Sequence, residues 1–389
     1  MINIIIIIII YLYYHYYYHI ISYHKSETGC GKSSRLPLFL LEHAEETGQH
    51  CKIMISQPRR IAVHALMKQL KKTLGGRVGM RMGGGVREGE DDSKLIFVTT
   101  GYLVRFVAYH PELFDQYTHL IIDEVHERSV DSDLLCYLSR KLLTMNSKLK
   151  LILMSATVQT TLYQDYFSGG DYDEYGDLEC LSVGKRRFEN ATYYVDDLVH
   201  DTCSSAVDLP KIITRQAAKI LNFHDPDLKN YQALDDVVKA QYVLAKELVR
   251  LNAKRGTAVL VFVAGMSDID EFLELFEDDE DYKIIPIHSD IPFEEQEQAF
   301  VAAEPDVIKV VVATNAAESS LTLPDVDMVI CLGMQKSIQY DASTHNVQLT
   351  KRWISKSSST QRAGRTGNNI YIYILNNIII IIIIIILYY

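Results

Sequence analysis

Short runs of apolar, largely β-branched residues recur through the middle of this chain, at 51–55, 95–98, 120–122 and 151–154. Each run ends in a polar cluster and is followed by helix-like sequence. A strand that reads as continuously apolar is covered on both faces, and alternation with helices makes the sheet parallel, the α/β class. After a more polar stretch the pattern restarts at 258–263, 284–287, 310–312 and 328–330. Two tandem α/β domains are therefore expected, with the boundary near residue 184, after Ser168-Gly169-Gly170 and the acidic stretch 171–177. A length of 389 residues suits two or three domains. Ligands of open parallel sheets bind beyond the carboxyl ends of the strands, so the polar clusters should face a common cleft.

The ends of the chain do not share this pattern. Residues 1–24 are almost entirely Ile, Tyr and His, with an unbroken Ile run at 4–10, and another fills 378–386. Each is about half the ~20 apolar residues of a membrane-spanning helix, and the first lacks the basic and small-residue flanks of a secretory signal. Both tails read as translated low-complexity repeats and are expected to lie outside the fold, as residues 1–25 and 371–389. Six scattered cysteines without a C-x-x-C pair suggest neither a zinc ribbon nor a disulfide framework, so a reducing interior is expected, cytoplasmic with nuclear as the alternative. Net charge is −11, so any nucleic acid must be held by a local groove and not by the overall field.

Two clusters carry phosphate chemistry. Thr28-Gly29-Cys30-Gly31-Lys32-Ser33-Ser34 matches the second half of a Walker A loop. In such a loop glycines bring backbone N–H groups onto phosphates, lysine reaches the β and γ phosphates, and the Ser33 hydroxyl holds Mg²⁺. The loop's usual first glycine is Ser26 here, and the feeding strand looks missing or replaced by residues 20–23. About 90 residues on, the apolar run 119–122 enters Asp123-Glu124-Val125-His126. An aspartate at a strand end can hold Mg²⁺ through water while its neighbour orients or deprotonates the attacking water, and Ser33, Asp123 and Glu124 are the expected metal set.

Asp123-Glu124-Val125-His126 resembles the signature of the DEAH-box helicases of superfamily 2, and further motifs follow in that family's order. Residues 56–62 resemble motif Ia, 99–103 motif Ib, Ser155-Ala156-Thr157 motif III, 260–265 motif IV, 313–322 motif V and 361–367 motif VI. The double threonine of motif Ib is similar to the RNA helicase A-like branch. The resemblance covers residues 26–367. It implies two RecA-like domains, 26–183 and 184–370, that use ATP or another NTP with Mg²⁺ and act on single-stranded or structured RNA.

By the same resemblance, Lys32, Asp123, Glu124, Gln361 and Arg365 serve hydrolysis, Gln361 ordering the water and Arg365 acting as an arginine finger. Arg59, Thr99, Thr100, Ser289, Thr314 and Asn315 line the RNA groove, and His126, Ser155 and Thr157 serve coupling, His126 between motif II and the second domain. Phe300 stacks on the base or, equally, fills a helix core; its usual arginine partner is Gln69 here. His126 is open between packing and coupling, Arg59 between RNA and an acidic partner, and Thr99 between RNA and a helix cap. The last arginine of motif VI is Asn368. The accessory domains that follow in the family have no counterpart before the tail. A non-catalytic nucleotide- or RNA-binding fragment is therefore the competing reading.

Overall fold

The computed structural model describes residues 21–26, 31–156, 160–168, 179–183, 190–200, 210–223, 231–277, 279–318, 323, 325–341, 345–365 and 370–374. The chain divides into two compact units, Met1–Lys185 and Arg186–Tyr389.

The first unit runs β1 (Ile21–Ser26), α1 (Lys32–Thr47), β2 (Ile53–Gln57), α2 (Arg60–Leu74), β3 (Val78–Arg81), β4 (Arg87–Glu88), β5 (Leu95–Thr99), α3 (Thr100–Tyr109), β6 (His119–Ile122), α4 (Val130–Met145), β7 (Lys150–Ser155), α5 (Thr160–Ser168) and β8 (Glu179–Val183). Its eight strands form one sheet in the order β4-β3-β5-β2-β6-β7-β1-β8, parallel apart from the β3–β4 pair. Successive side chains of a strand face opposite ways, and here each face has its own core. Ile53, Ile55, Leu95, Phe97, Ile121 and Ile152 pack with Leu40 of α1 and Leu66 and Leu70 of α2. Met54, Ile96, Val98, Leu120, Leu151 and Leu153 pack with Leu103 of α3 and Leu135 and Leu142 of α4. Two cores on one sheet explain why these strands read as unbroken apolar runs.

The second unit contains β9 (Asn190–Tyr194), α6 (Val195–His200), α7 (Lys211–Leu221), α8 (Tyr231–Asn252), β10 (Ala258–Phe262), α9 (Met266–Glu274), β11 (Tyr282–Ile287), α10 (Phe293–Gln296), β12 (Ile308–Ala313), β13 (Val326–Cys331), β14 (Met334–Asp341), β15 (Asn346–Trp353), α11 (Lys356–Ala363) and β16 (Ile370–Ile374). Six strands form a parallel sheet, β11-β12-β10-β13-β16-β9, and β14 and β15 stand apart as an antiparallel hairpin. Val259, Val261, Val310, Val312, Met328 and Ile330 pack beneath α7, α8 and α9.

Both units are the expected parallel α/β layers, but the tails differ from expectation. Residues 21–26 form β1, hydrogen-bonded in parallel between β7 and β8, and 370–374 form β16 between β13 and β9. Residues 21–25 and 371–374 thus belong to the sheets: the Ile-Tyr alternation of β16 suits a strand however repetitive its context, and β1 is held by pairing with a strand on each side. The strand that feeds the phosphate loop is present. The expected boundary at 184 lies outside the described residues. Among the described residues no helix is long and apolar enough to cross a membrane.

Candidate nucleotide site and strand-end motifs

In the first unit the polar groups gather at the carboxyl ends of β2, β6 and β7 and at the start of α1. Gly31 precedes α1 at φ 84, a left-handed conformation open to glycine at little cost, and its carbonyl accepts from the N–H groups of Ser34 and Arg35. The turn sets Lys32 and Ser33 at the helix N-terminus, where amide groups and the helix dipole favour phosphate. Thr28, Gly29 and Cys30 lie outside the described residues.

Asp123 extends β6 by one residue, its N–H donating to the Ser56 carbonyl of β2 at 3.1 Å. Its carboxylate is enclosed. Oδ2 accepts from Ser33 Oγ at 2.5 Å and from Gln57 Nε2 at 2.7 Å, and Oδ1 accepts from the Glu124 N–H at 2.8 Å. Glu124 has φ 53, a strained conformation for a residue with a side chain, worth on the order of 1–3 kcal/mol and held by the turn through Val125–Glu127. Its Oε2 meets Lys32 Nζ at 3.1 Å. Tyr163 of α5 clamps the same turn by donating to the Val125 carbonyl at 2.7 Å.

Two adjacent buried carboxylates face one lysine. Burial, followed by the neighbouring Glu124 charge, raises the Asp123 pKa, while Lys32, Ser33 and Gln57 act in the opposite direction. A divalent cation would relieve that deficit. Mg²⁺ takes oxygen ligands and commonly uses one or two carboxylates alongside phosphates and water. Ser33 and Asp123 supply such oxygens in direct contact, so the residues fit this ion. No cluster of three or more His, Cys, Asp and Glu able to hold a metal occurs among the described residues.

His126 reaches β7. Its Nδ1 accepts from the Ala156 N–H at 3.4 Å and lies 3.5 Å from Glu124 Oε2, so the ring touches both motif II and motif III. Ser155 ends β7 fully buried. Thr157 lies outside the described residues. Of the residues expected in an RNA groove, Arg59 pairs with Glu127 at 3.3 Å, the acidic-partner alternative. Thr100 is buried, its hydroxyl 3.0 Å from Ser56 Oγ, whereas Thr99 is partly exposed. Gln69 is exposed on α2.

In the second unit Ser289 is exposed, its hydroxyl donating to Asp290 at 3.3 Å. Thr314 is buried and caps the turn after β12 by accepting from the Ala316 N–H, and Asn315 beside it is partly exposed. Phe300 is partly buried with its ring centroid 6.0 Å from that of Phe293, an arrangement that favours neither of its two readings. Gln361 is buried on α11, and Arg365 is partly buried just beyond that helix. Asn368 lies outside the described residues.

Two residues of evident importance received no role from the sequence. Gln57 was legible only through register: Ser56 pairs with Ile122, which places Gln57 beside Asp123. Arg362 is fully buried, although an arginine is almost never so unless it is paired. It donates to Glu318 Oε2 at 3.0 Å and to the Met334 carbonyl at 3.3 Å, and lies 4.9 Å from the centre of the Phe262 ring. Motif VI is thereby fastened to motif V and to the root of the β14–β15 hairpin.

The profile of the DEAD/DEAH box helicase family matches residues 21–165, and that of the helicase conserved C-terminal domain matches residues 240–369. The chain is similar to the human ATP-dependent RNA helicase TDRD9, 33% identical over 355 residues, which cover 87% of this chain and 25% of the relative. It is also similar to the probable ATP-dependent RNA helicase spindle-E of Culex quinquefasciatus, 34% identical over 352 residues, covering 87% of this chain and 24% of the relative. Among solved structures, the Escherichia coli DEAH/RHA helicase HrpB superimposes with a TM-score of 0.74 at 26% identity, over 96% of this chain and 42% of that one. The chain thus spans about a quarter of the length of the two curated relatives. With two family profiles in tandem, the motif series in order and the Walker A serine against the motif II aspartate, the chain belongs to the DExH/DEAH helicases of superfamily 2 as a core of two RecA-like units.

Proposed function

We propose that this core hydrolyses ATP or another NTP with Mg²⁺ and uses the cycle to move on or remodel single-stranded or structured RNA. The observation that carries the reading is the joined set Ser33–Asp123 and Lys32–Glu124, two contacts between residues about 90 positions apart in sequence. In this mechanism Lys32 leaves Glu124 for the β and γ phosphates. The freed Glu124 carboxylate then accepts the proton of the attacking water. Ser33 and Asp123 would hold Mg²⁺, which when bound offsets charge developing on the phosphates. Gln361 and Arg365 are assigned the water-ordering and arginine-finger roles, and Phe300 the base contact.

For RNA, Thr99, Ser289 and Asn315 supply accessible polar groups, with Arg59 once it parts from Glu127. Thr100 and Thr314, whose hydroxyls are engaged within their own units, hold the shape of the strand ends that carry these groups. His126 and Ser155, with Thr157, link motif II to motif III. The free buried thiols of Cys51, Cys136 and Cys331 suit a reducing compartment, cytoplasmic or nuclear.

Phosphate release with and without single-stranded RNA tests the reading. Glu124→Gln should lower kcat by about 10²–10⁴, the range of a general base, while nucleotide binding persists. Equal rates for the parent and Glu124→Gln would remove the assignment. A parent that binds nucleotide and RNA without turnover would favour the non-catalytic fragment.

A further inference from the structure

Gln57 ends β2 and is fully buried. Its Nε2 donates to Asp123 Oδ2, the oxygen that also accepts from Ser33. With the Glu124 N–H on Oδ1, the carboxylate is held by three donors from three segments. The direction of the Gln57 amide follows from charge, since a reversed amide would set Oε1 against a carboxylate oxygen. That leaves Oε1 buried and without a hydrogen-bond partner among the described residues.

An unsatisfied buried acceptor is costly, and in a native fold it calls for an explanation. Here the explanation is local. Mg²⁺ keeps several of its waters when it binds, and those waters are donors that arrive with the ion. The acceptor lies on the amide that already holds the ion's carboxylate ligand. We propose that Gln57 is a positioning residue for Mg²⁺: its N–H fixes the Asp123 carboxylate, and its Oε1 accepts a hydrogen bond from a metal-bound water. This rests on the nucleotide reading above and adds a residue to that site. The adjacent Ser56 faces the other way and bonds Thr100, so only Gln57 of this strand end serves the metal.

The test separates metal binding from nucleotide binding. The full chain is mixed with a fluorescent N-methylanthraniloyl ADP, and its affinity is measured in EDTA and across a Mg²⁺ titration. Gln57→Met removes both polar atoms at nearly constant volume; Gln57→Asn keeps the amide but draws it back by one methylene. Partners that orient metal ligands typically contribute 10–100-fold in metal affinity. Both variants should therefore raise the half-saturating Mg²⁺ concentration about 10–100-fold, with the Kd in EDTA unchanged within about twofold. Retained binding in EDTA shows that the variant site is folded. Unchanged Mg²⁺ half-saturation, or equal weakening with and without Mg²⁺, overturns the inference. A parent that binds no nucleotide in either condition overturns the nucleotide reading and this inference with it. A magnesium-responsive parent matched by its variants overturns this inference alone.

Discussion

Asp123, the proposed Mg²⁺ ligand, sets that role against stability. Its carboxyl is buried beside Glu124, and both effects raise its pKa from the ordinary 3.8. The native state therefore retains a proton that the unfolded chain releases over the interval between 3.8 and the raised value. Stability from this group is present below that interval and is lost as pH rises through it. Without metal, the parent should lose stability relative to Asp123→Ala as pH rises above about 4, as read by thermal melts in EDTA. Mg²⁺ added with nucleotide should stabilise the parent at neutral pH beyond nucleotide in EDTA, and that Mg²⁺ increment should be absent from Asp123→Ala. A parent–variant difference that does not vary with pH would show that burial is not straining this carboxylate. The carboxylate pair itself was legible, because a bare Asp-Glu after an apolar run has few other uses. Gln57 was not, since its importance lies in a neighbouring strand's register and not in its own sequence.

At the scale of elements, legibility followed burial. β2, β5, β6 and β7 are covered on both faces, so their apolar runs stand out. The short strands β3 and β4 at one side of the sheet and the β14–β15 hairpin have no such signal. The hairpin alternates polar and apolar residues and leaves Ile338, Tyr340, Val347 and Leu349 largely exposed. β1 and β16 were obscured for another reason: a low-complexity run carries strand propensity but no pattern that marks its ends. Helix α11 depends on Arg362, which joins it to β10, to β13 through Cys331 Sγ at 3.6 Å, and to the root of β14. Arg362→Met would strand the buried Glu318 and should cost about 3–5 kcal/mol. Trp353, the single tryptophan, sits in β15 and reports on this unit through its fluorescence during urea unfolding. Adding Glu318→Gln to Arg362→Met should recover part of the loss, because the uncompensated charge is then gone. Simple additivity of the two substitutions would show that the pair does not interact.

For the whole molecule, the conflict is between a net charge of −11 and the polyanionic ligand proposed for it. Long-range attraction cannot hold RNA here, so the proposed groove works through short contacts from hydroxyls, amides and few cations. The structure narrows the cations further: Arg59 is paired with Glu127, and Arg362 is spent inside the second unit. Binding that neutralises few phosphates releases few counterions. For single strands the slope of log K against log salt is about −0.7 per phosphate neutralised, so a groove with one to three cations should give a slope between about −0.7 and −2. Fluorescence anisotropy of a labelled oligouridylate over a range of KCl concentrations measures it directly. Arg59→Ala should make the slope shallower by about 0.7 if Arg59 leaves Glu127 to meet a phosphate, and should leave it unchanged if the ion pair persists on RNA. A slope as steep as about −5 would instead require some seven phosphate contacts, and a basic surface other than these strand-end motifs would then have to carry the RNA.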